Sequence, residues 1–318
     1  MGHAELNHSR MRVVITEFMD AVAVASLAAR FDVSYDATLV DRPAELKALL
    51  AEVDAVVVRN KTQVNSQLLD AAPRLKVVGR LGVGLDNIDL PGCKARGIEV
   101  IPATGANALA VAEYVIGTAM MLLRGAYVST VAVSAGEWPR TALSNGHEIA
   151  GKTLGVVGFG SIGRLAGGLA RALGMNVVGF DAQIRADAPI WREEQTTPLP
   201  FDELLRAADV VTLHVPLTPA TRGLMGATKL ALMKADAILI NTARGGVVDE
   251  AALAAALNAG KLGGAALDVF EHEPLPAGSS LAGCPNLLLT PHVAGVTSES
   301  NVRVSTMIAD KVALALQR

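Results

Sequence analysis

Three polar residues stand immediately beyond apolar runs. Arg244 follows ILIN in the stretch NTARGGVVDE, Glu273 follows AALDV in AALDVFEHEP, and His292 follows LLLT in LTPHVAG. In an open parallel α/β sheet, ligands bind beyond the carboxyl ends of the strands, where such residues would lie. An arginine there presents a planar fork of donors suited to a carboxylate. A histidine can give and take a proton near neutral pH, and a neighbouring carboxylate can fix its imidazole. An anionic substrate that gains or loses a proton would find both a cation and a proton donor here. Taken singly, each residue also has an ordinary reading: a surface ion pair for Arg244, a turn acid for Glu273, a satisfied buried imidazole for His292.

Upstream lies the stretch LGVVGFGSIGRLAGGLARALGMNVVGFD, from Leu154 to Asp181. An apolar run reads as a buried parallel strand, and Gly158, Gly160 and Gly163 follow with G-x-G-x-x-G spacing. The first glycine permits the tight strand-to-helix turn, the second a close backbone approach to a pyrophosphate, the third close helix–strand packing. The helix that begins at Ser161 and Ile162 would offer free amides and a positive dipole end to phosphates. Its pattern places Ile162, Leu165, Leu169 and Leu173 on one face, expected to be the packed one. A second apolar run ends in Asp181, near the position from which a carboxylate binds a ribose 2′-hydroxyl and repels a 2′-phosphate. The expected cofactor is NAD rather than NADP.

These residues need a scaffold, and composition permits one. The 318 residues suit two domains, with 51% hydrophobic and 19% charged residues and a formal net charge of −3. No basic run points to nucleic acid or an anionic membrane surface. Cys93 and Cys284 lack metal-ligand spacing and read as reduced thiols, and no His/Cys/Asp cluster suggests a metal. Met1–Arg10 reads as a polar tail with no signal-peptide pattern, so a cytoplasmic location is expected.

Strands are expected over 11–16, 33–37, 55–59, 75–78 and 98–101, with helices between them. A long apolar helix over 105–124, ANALAVAEYVIGTAMMLLR, is too interrupted for a membrane span and is expected to be buried between domains or subunits. Residues 132–151 read as irregular. Beyond the glycine turn, strands are expected over 210–214, 237–241, 265–269 and 287–290, and a terminal helix over 298–317. The fold class is α/β: two Rossmann-like, doubly wound parallel-sheet domains.

The stretches GVGLDNID, VGFGSIGR with Asp181, HVPLTPAT, NTARGGVVDE, AALDVFEHEP and TPHVAG occur in the order found in the D-isomer-specific 2-hydroxyacid dehydrogenase family, which the chain resembles over nearly its whole length. The resemblance implies a split substrate domain (1–103 with 293–318), an NAD domain (104–292) and an interdomain cleft. It implies Arg244, Glu273 and His292 as the catalytic set. It also implies cofactor contacts at His214, Pro216, Thr242, Ala243, Asp268 and His292, and substrate-carboxylate contacts at Val83 and Gly84. A homodimer with no nucleic-acid or membrane partner is expected. His272 neighbours Glu273, but the TPHVAG context favours His292 as the acid.

Substrate identity is the more open question. VVVRNKTQVN resembles the VRS-x-T-x-V segment of phosphoglycerate dehydrogenases, with Asn60 where serine is usual, and GEWPR resembles their G-x-W-x-R segment. Arg59, Asn60 and Lys61, with Arg140, would suit a second anionic group such as phosphate or sulfonate; solvated surface charge is the alternative. A 3-phosphoglycerate or sulfolactate-like substrate is ranked ahead of glyoxylate or hydroxypyruvate, then D-lactate-type acids. Glu273 disfavours a formate dehydrogenase, which carries glutamine there. From another class, NAD-sensing corepressors share the fold and the triad; turnover of 2-oxo acids with NADH separates the two.

Overall fold

The computed structural model of the protein describes residues 10–318. The expected polar tail therefore lies, apart from Arg10, outside the described residues. Two compact units emerge, one comprising the chain up to Asn107 together with Val296–Arg318, the other Ala108–Gly295. Against the expected boundaries, residues 104–107 and 293–295 change sides. The reason is local hydrogen bonding: Arg303 Nε donates to Ala106 O, while the amides of Val293 and Ala294 donate to Asp268.

In the first unit, strands β1 (Arg12–Ile15), β2 (Asp32–Tyr35), β3 (Ala55–Val58), β4 (Val77–Arg80) and β5 (Glu99–Pro102) form a parallel sheet in the order β2-β1-β3-β4-β5. All four residues of β3 are buried, as suits a strand covered on both faces. The strand order reverses between β1 and β3, which makes their carboxyl ends the switch point of this sheet. The helix Ser298–Leu316 covers the same sheet, its start closed by a capping box between Thr297 and Ser300. Strand β4 runs two residues beyond the expected 75–78. Gly79, which reads as a breaker in sequence, lies beneath that helix: a Cβ there would come within 2.8 Å of Val312. The strand continues because the residue has no side chain to clash. The helix Leu90–Ala95 starts with an Asp89 cap and Pro91 in its first turn.

In the second unit, β6 (Thr153–Val157), β7 (Asn176–Phe180), β8 (Thr197–Pro198), β9 (Val210–Leu213), β10 (Ile238–Asn241), β11 (Gly264–Leu267) and β12 (Leu287–Leu289) are all parallel. Their order is β12-β11-β10-β9-β6-β7-β8. This is the doubly wound order of dinucleotide-binding domains, with its switch point between β6 and β9. The helix Ser161–Ala172 corrects one expectation. Its buried residues are Gly163, Ala166, Gly167 and Ala170, whereas Leu165 and Leu173 are exposed. Small residues win this face because the helix lies very close to the sheet: a Cβ on Gly163 would reach 2.8 Å from Val156 Cγ1. The helix Ala108–Arg124 buries ten residues on one side and leaves Leu109, Met120 and Met121 exposed on the other, so it is half covered within its own unit. A short helix, Thr130–Ser134, interrupts the stretch read as irregular. Among the described residues, no helix is long and apolar enough to cross a membrane.

Candidate active site

Because every strand of the second sheet points the same way, the loops after β6, β9, β10, β11 and β12 all leave from one edge. The glycine turn follows β6. Gly158 has φ +94°, a backbone conformation that side-chain-bearing residues rarely adopt, and a Cβ there would lie 2.5 Å from His214 O. His214 and Pro216 thus follow β9 directly against this turn. Desolvation pulls the imidazole of the half-buried His214 down to about 4, and its Nε2 lies 3.0 Å from Thr212 Oγ1. It is neutral at physiological pH and unsuited to acid catalysis.

The turn fits a dinucleotide on three observations. A Cβ on Gly160 would meet nothing within 4 Å, so its chain neighbours do not require this glycine, whereas an approaching phosphate would. Gly160 also starts the helix without a side-chain cap, which leaves the first-turn amides of Ser161, Ile162 and Gly163 to bind an anion. Thr242 Oγ1, after β10, is buried with no hydrogen-bond partner among the described residues. Asp181 ends β7, and its carboxylate accepts from Phe159 N at 2.7 Å and Gln183 N at 2.8 Å. It braces the glycine turn while keeping further acceptor directions, a second task the sequence did not disclose. Asp181→Ala is therefore expected to raise the KM for NADH about tenfold, the loss of one charged hydrogen bond, and to narrow discrimination against NADPH. The ratio of kcat/KM for the two cofactors reads this, and an unchanged preference would remove Asp181 from its role.

Arg244 is set by the loop after β10. Asn241, almost wholly buried, accepts from Ala243 N through Oδ1 and donates through Nδ2 to Arg244 O, both at 3.0 Å. Arg244 Nη1 in turn donates to Ala243 O. Sequence reasoning missed Asn241; its signal was an amide at the end of an otherwise apolar strand.

Glu273 and His292 meet directly. Glu273 Oε1 accepts from Phe270 N at 3.1 Å, and Oε2 lies 2.8 Å from His292 Nδ1. A carboxylate only accepts, so Nδ1 carries the hydrogen and Nε2 is the nitrogen left for chemistry. His292 has φ +56°, unusual for a residue with a side chain. Its backbone is held there by Asp268, which is 1% exposed. Asp268 O accepts from His292 N at 2.8 Å, Oδ1 from Thr290 Oγ1 at 2.6 Å and Val293 N at 2.8 Å, and Oδ2 from Ala294 N at 2.8 Å. Tyr114 extends the network through a 2.6 Å hydrogen bond to Thr290. The carboxylate of Asp268 thus shapes the turn that presents the imidazole. Thr290 and Tyr114 were not foreseen.

The remaining predicted residues lie in the first unit. Arg59, Asn60 and Lys61 follow β3, and Val83 and Gly84 follow β4. Arg140, grouped with Arg59 and Lys61 by charge and by the resemblance of GEWPR, lies in the second unit, near the exposed Trp138.

The chain is similar to known proteins over most of its length. Residues 116–294 match the family model described as D-isomer specific 2-hydroxyacid dehydrogenase, NAD binding domain. The chain is 53% identical to (S)-sulfolactate dehydrogenase of Chromohalobacter salexigens, over 96% of this chain and 98% of that one. It is 41% identical to D-3-phosphoglycerate dehydrogenase of Methanocaldococcus jannaschii over 86% of its own length, but spans only 52% of that protein. A crystal structure of D-lactate dehydrogenase from Aquifex aeolicus, complexed with NAD and lactic acid, superposes with a TM-score of 0.83 at 29% identity, covering 96% of this chain and 95% of that one. The chain belongs to the D-isomer-specific 2-hydroxyacid dehydrogenase family and is an oxidoreductase that uses NAD to interconvert a 2-hydroxy acid and its 2-oxo acid.

Proposed function

We propose that Arg244, Glu273 and His292 carry the reaction and that the substrate bears a second anionic group, most closely a sulfolactate-like acid. The observation that carries the chemistry is the Glu273–His292 hydrogen bond, which leaves Nε2 of His292 as the proton-transferring nitrogen. NAD, when bound, would supply the hydride acceptor for oxidation and, in its reduced form, the hydride donor for reduction. During reduction His292 donates the Nε2 proton to the carbonyl oxygen, and during oxidation it removes the hydroxyl proton. Glu273 keeps Nδ1–H in place throughout and stabilises the imidazolium that oxidation creates. Arg244 holds the carboxylate in a bidentate grip and polarises the carbonyl. Gly158, Gly160, Ser161, Ile162 and Gly163 would take the pyrophosphate and Asp181 the ribose. His214, Pro216, Thr242, Ala243, Asp268 and His292 would line the rest of the cofactor. From the first unit, Val83 and Gly84 would contribute amides for the substrate carboxylate, and Arg59, Asn60 and Lys61 the second-anion contacts.

The sulfonate reading draws on the 53% identity over nearly the full length of both chains. The phosphoglycerate reading is weaker, because the matched relative is about twice as long as the region shared. Stereochemistry is compatible. Sulfur outranks the carboxyl group in the naming rules, so the (S) form of sulfolactate has the same spatial arrangement as a D-2-hydroxy acid.

A steady-state panel of sulfopyruvate, phosphohydroxypyruvate, hydroxypyruvate, glyoxylate and pyruvate with NADH tests this reading. The highest kcat/KM is expected for sulfopyruvate, and equal or better use of glyoxylate or pyruvate would sink the second-anion proposal.

A homodimer belongs to the same proposal. Leu109, Met120, Met121, Val131 and Trp138 are exposed along one stretch of the second unit, an apolar run that a second copy would cover. Light scattering is expected to give twice the monomer mass of 32.9 kDa; a monomer mass would contradict it. A reducing compartment such as the cytoplasm suits Cys93 and Cys284, both free thiols.

A further inference from the structure

The first unit contains a buried carboxylate that the reaction scheme does not use. Glu17 follows β1, beside the switch point of the sheet, and is only 4% exposed. An ionised group so far from water is costly unless its acceptor directions are met by donors. Here they are met by one loop. Glu17 Oε1 accepts from Arg59 N at 2.9 Å and Thr62 N at 3.0 Å, and Oε2 accepts from Lys61 N at 3.1 Å. Burial pushes the carboxyl of Glu17 up, but the bonds from Thr62, Arg59 and Lys61 outweigh it and bring it below its ordinary value. The same loop is held from its carbonyl side. Asn87 Nδ2 donates to Thr62 O at 2.7 Å and to Arg59 O at 3.1 Å, and Thr16 Oγ1 lies 2.8 Å from Thr62 Oγ1.

This arrangement constrains how the loop can recognise an anion. Backbone amides of 59, 61 and 62 already serve an internal carboxylate, so they are committed. External negative charge is left to the side chains. Arg59 is steered by Asn301, whose Oδ1 accepts from Nη2 at 2.7 Å, and lies over Phe18 at 5.8 Å; Lys61 is exposed.

We propose that Glu17 is a positioning residue for substrate selection: it fixes the backbone of Arg59–Thr62, and through it the two cationic side chains that read the second anionic group. The proposal rests on the second-anion reading given above. A site whose supporting shell loosens by an ångström loses selectivity before it loses its fold.

The test compares KM for sulfopyruvate, with two anionic groups, and glyoxylate, with one. In Glu17→Gln an amide N–H would face the Lys61 N–H where an acceptor stood. The ratio of the two KM values is expected to rise at least tenfold, with Glu17→Asp recovering part of the loss. An unchanged ratio, or equal rises in both KM values, would overturn the proposal and leave Glu17 a fold clamp. Thr62→Val, which keeps volume and the backbone amide but removes the hydroxyl bridge, is expected to raise the ratio less. If Glu17→Gln does not fold, as judged by lost NADH binding, the Thr62→Val ratio decides, and no change there overturns the proposal. Arg59→Ala and Lys61→Ala separate the two ideas. If neither raises the ratio, the second-anion reading fails and takes this one with it; if they raise it and Glu17→Gln does not, only the present proposal fails.

Discussion

Replacing His292 with alanine is expected to lower turnover by about two to four powers of ten, the usual worth of a positioned general acid–base. The geometry explains why no neighbour would substitute. Nδ1 of His292 is tied to Glu273 at 2.8 Å, so the ring is oriented and Nε2 is the working nitrogen. His214, another histidine at this edge of the sheet, is held neutral by desolvation, its imidazole pulled down to about 4, and sits near Thr212. His272 precedes Glu273 in sequence, yet Glu273 bonds His292. His272→Ala should therefore retain turnover close to the unsubstituted enzyme. NADH binding, read by fluorescence titration, should survive His292→Ala, because the proposed pyrophosphate and ribose contacts are in the glycine turn and at Asp181. Near-normal turnover without His292 would transfer the acid role to His272 or to water, and the Glu273–His292 pair would then be structural.

The parts of this site legible in sequence share one property: they are written in neighbouring residues. The glycine turn, Asp181 and the polar residues just past apolar runs are local signals, because a parallel strand is a short apolar run and its ligand-bearing loop comes next. What escaped depends on distant partners. Glu17 finds its donors more than forty positions away, and Tyr114 meets Thr290 across 176 positions, so neither pairing leaves a periodic mark. The helix Ser161–Ala172 shows a different limit. Its leucines give the stronger amphipathic pattern, yet close approach to the sheet selects its glycines and alanines for the buried face. Hydrophobicity alone misjudges a face when the available gap is too narrow for a large side chain.

Asp268 illustrates how a residue's position in sequence can hide a task. Sequence placed it at a strand end among cofactor contacts. In the structure its carboxylate bonds Thr290, Val293 and Ala294, and its carbonyl bonds His292 N. A residue with a positive φ is held where strain is met by local hydrogen bonds. His292, the proposed acid–base, is therefore held on two levels, its ring by Glu273 and its backbone by Asp268.

Arg244→Ala is expected to raise the KM for the 2-oxo acid on the order of a hundredfold or more, and to lower kcat as well. A charged hydrogen bond contributes about 1.5–3 kcal/mol, and a bidentate grip loses two, so a loss of about 3 kcal/mol is the conservative figure. The kcat effect follows if the guanidinium also polarises the carbonyl, since that interaction strengthens as charge develops on oxygen. Arg244→Lys should recover little, because a point charge cannot reproduce the planar fork. The fold should tolerate the change. Asn241 holds the loop through the backbone of Ala243 and Arg244, which the substitution leaves in place. Gly245 keeps the same loop tight against the segment that follows β11, where a Cβ would fall 1.7 Å from Phe270 O. NADH affinity is accordingly expected to stay within a few-fold, and the split between substrate KM and NADH affinity is the decisive reading. Loss of both together would mean that Arg244 shapes the cofactor site, and the carboxylate would then need a different cation.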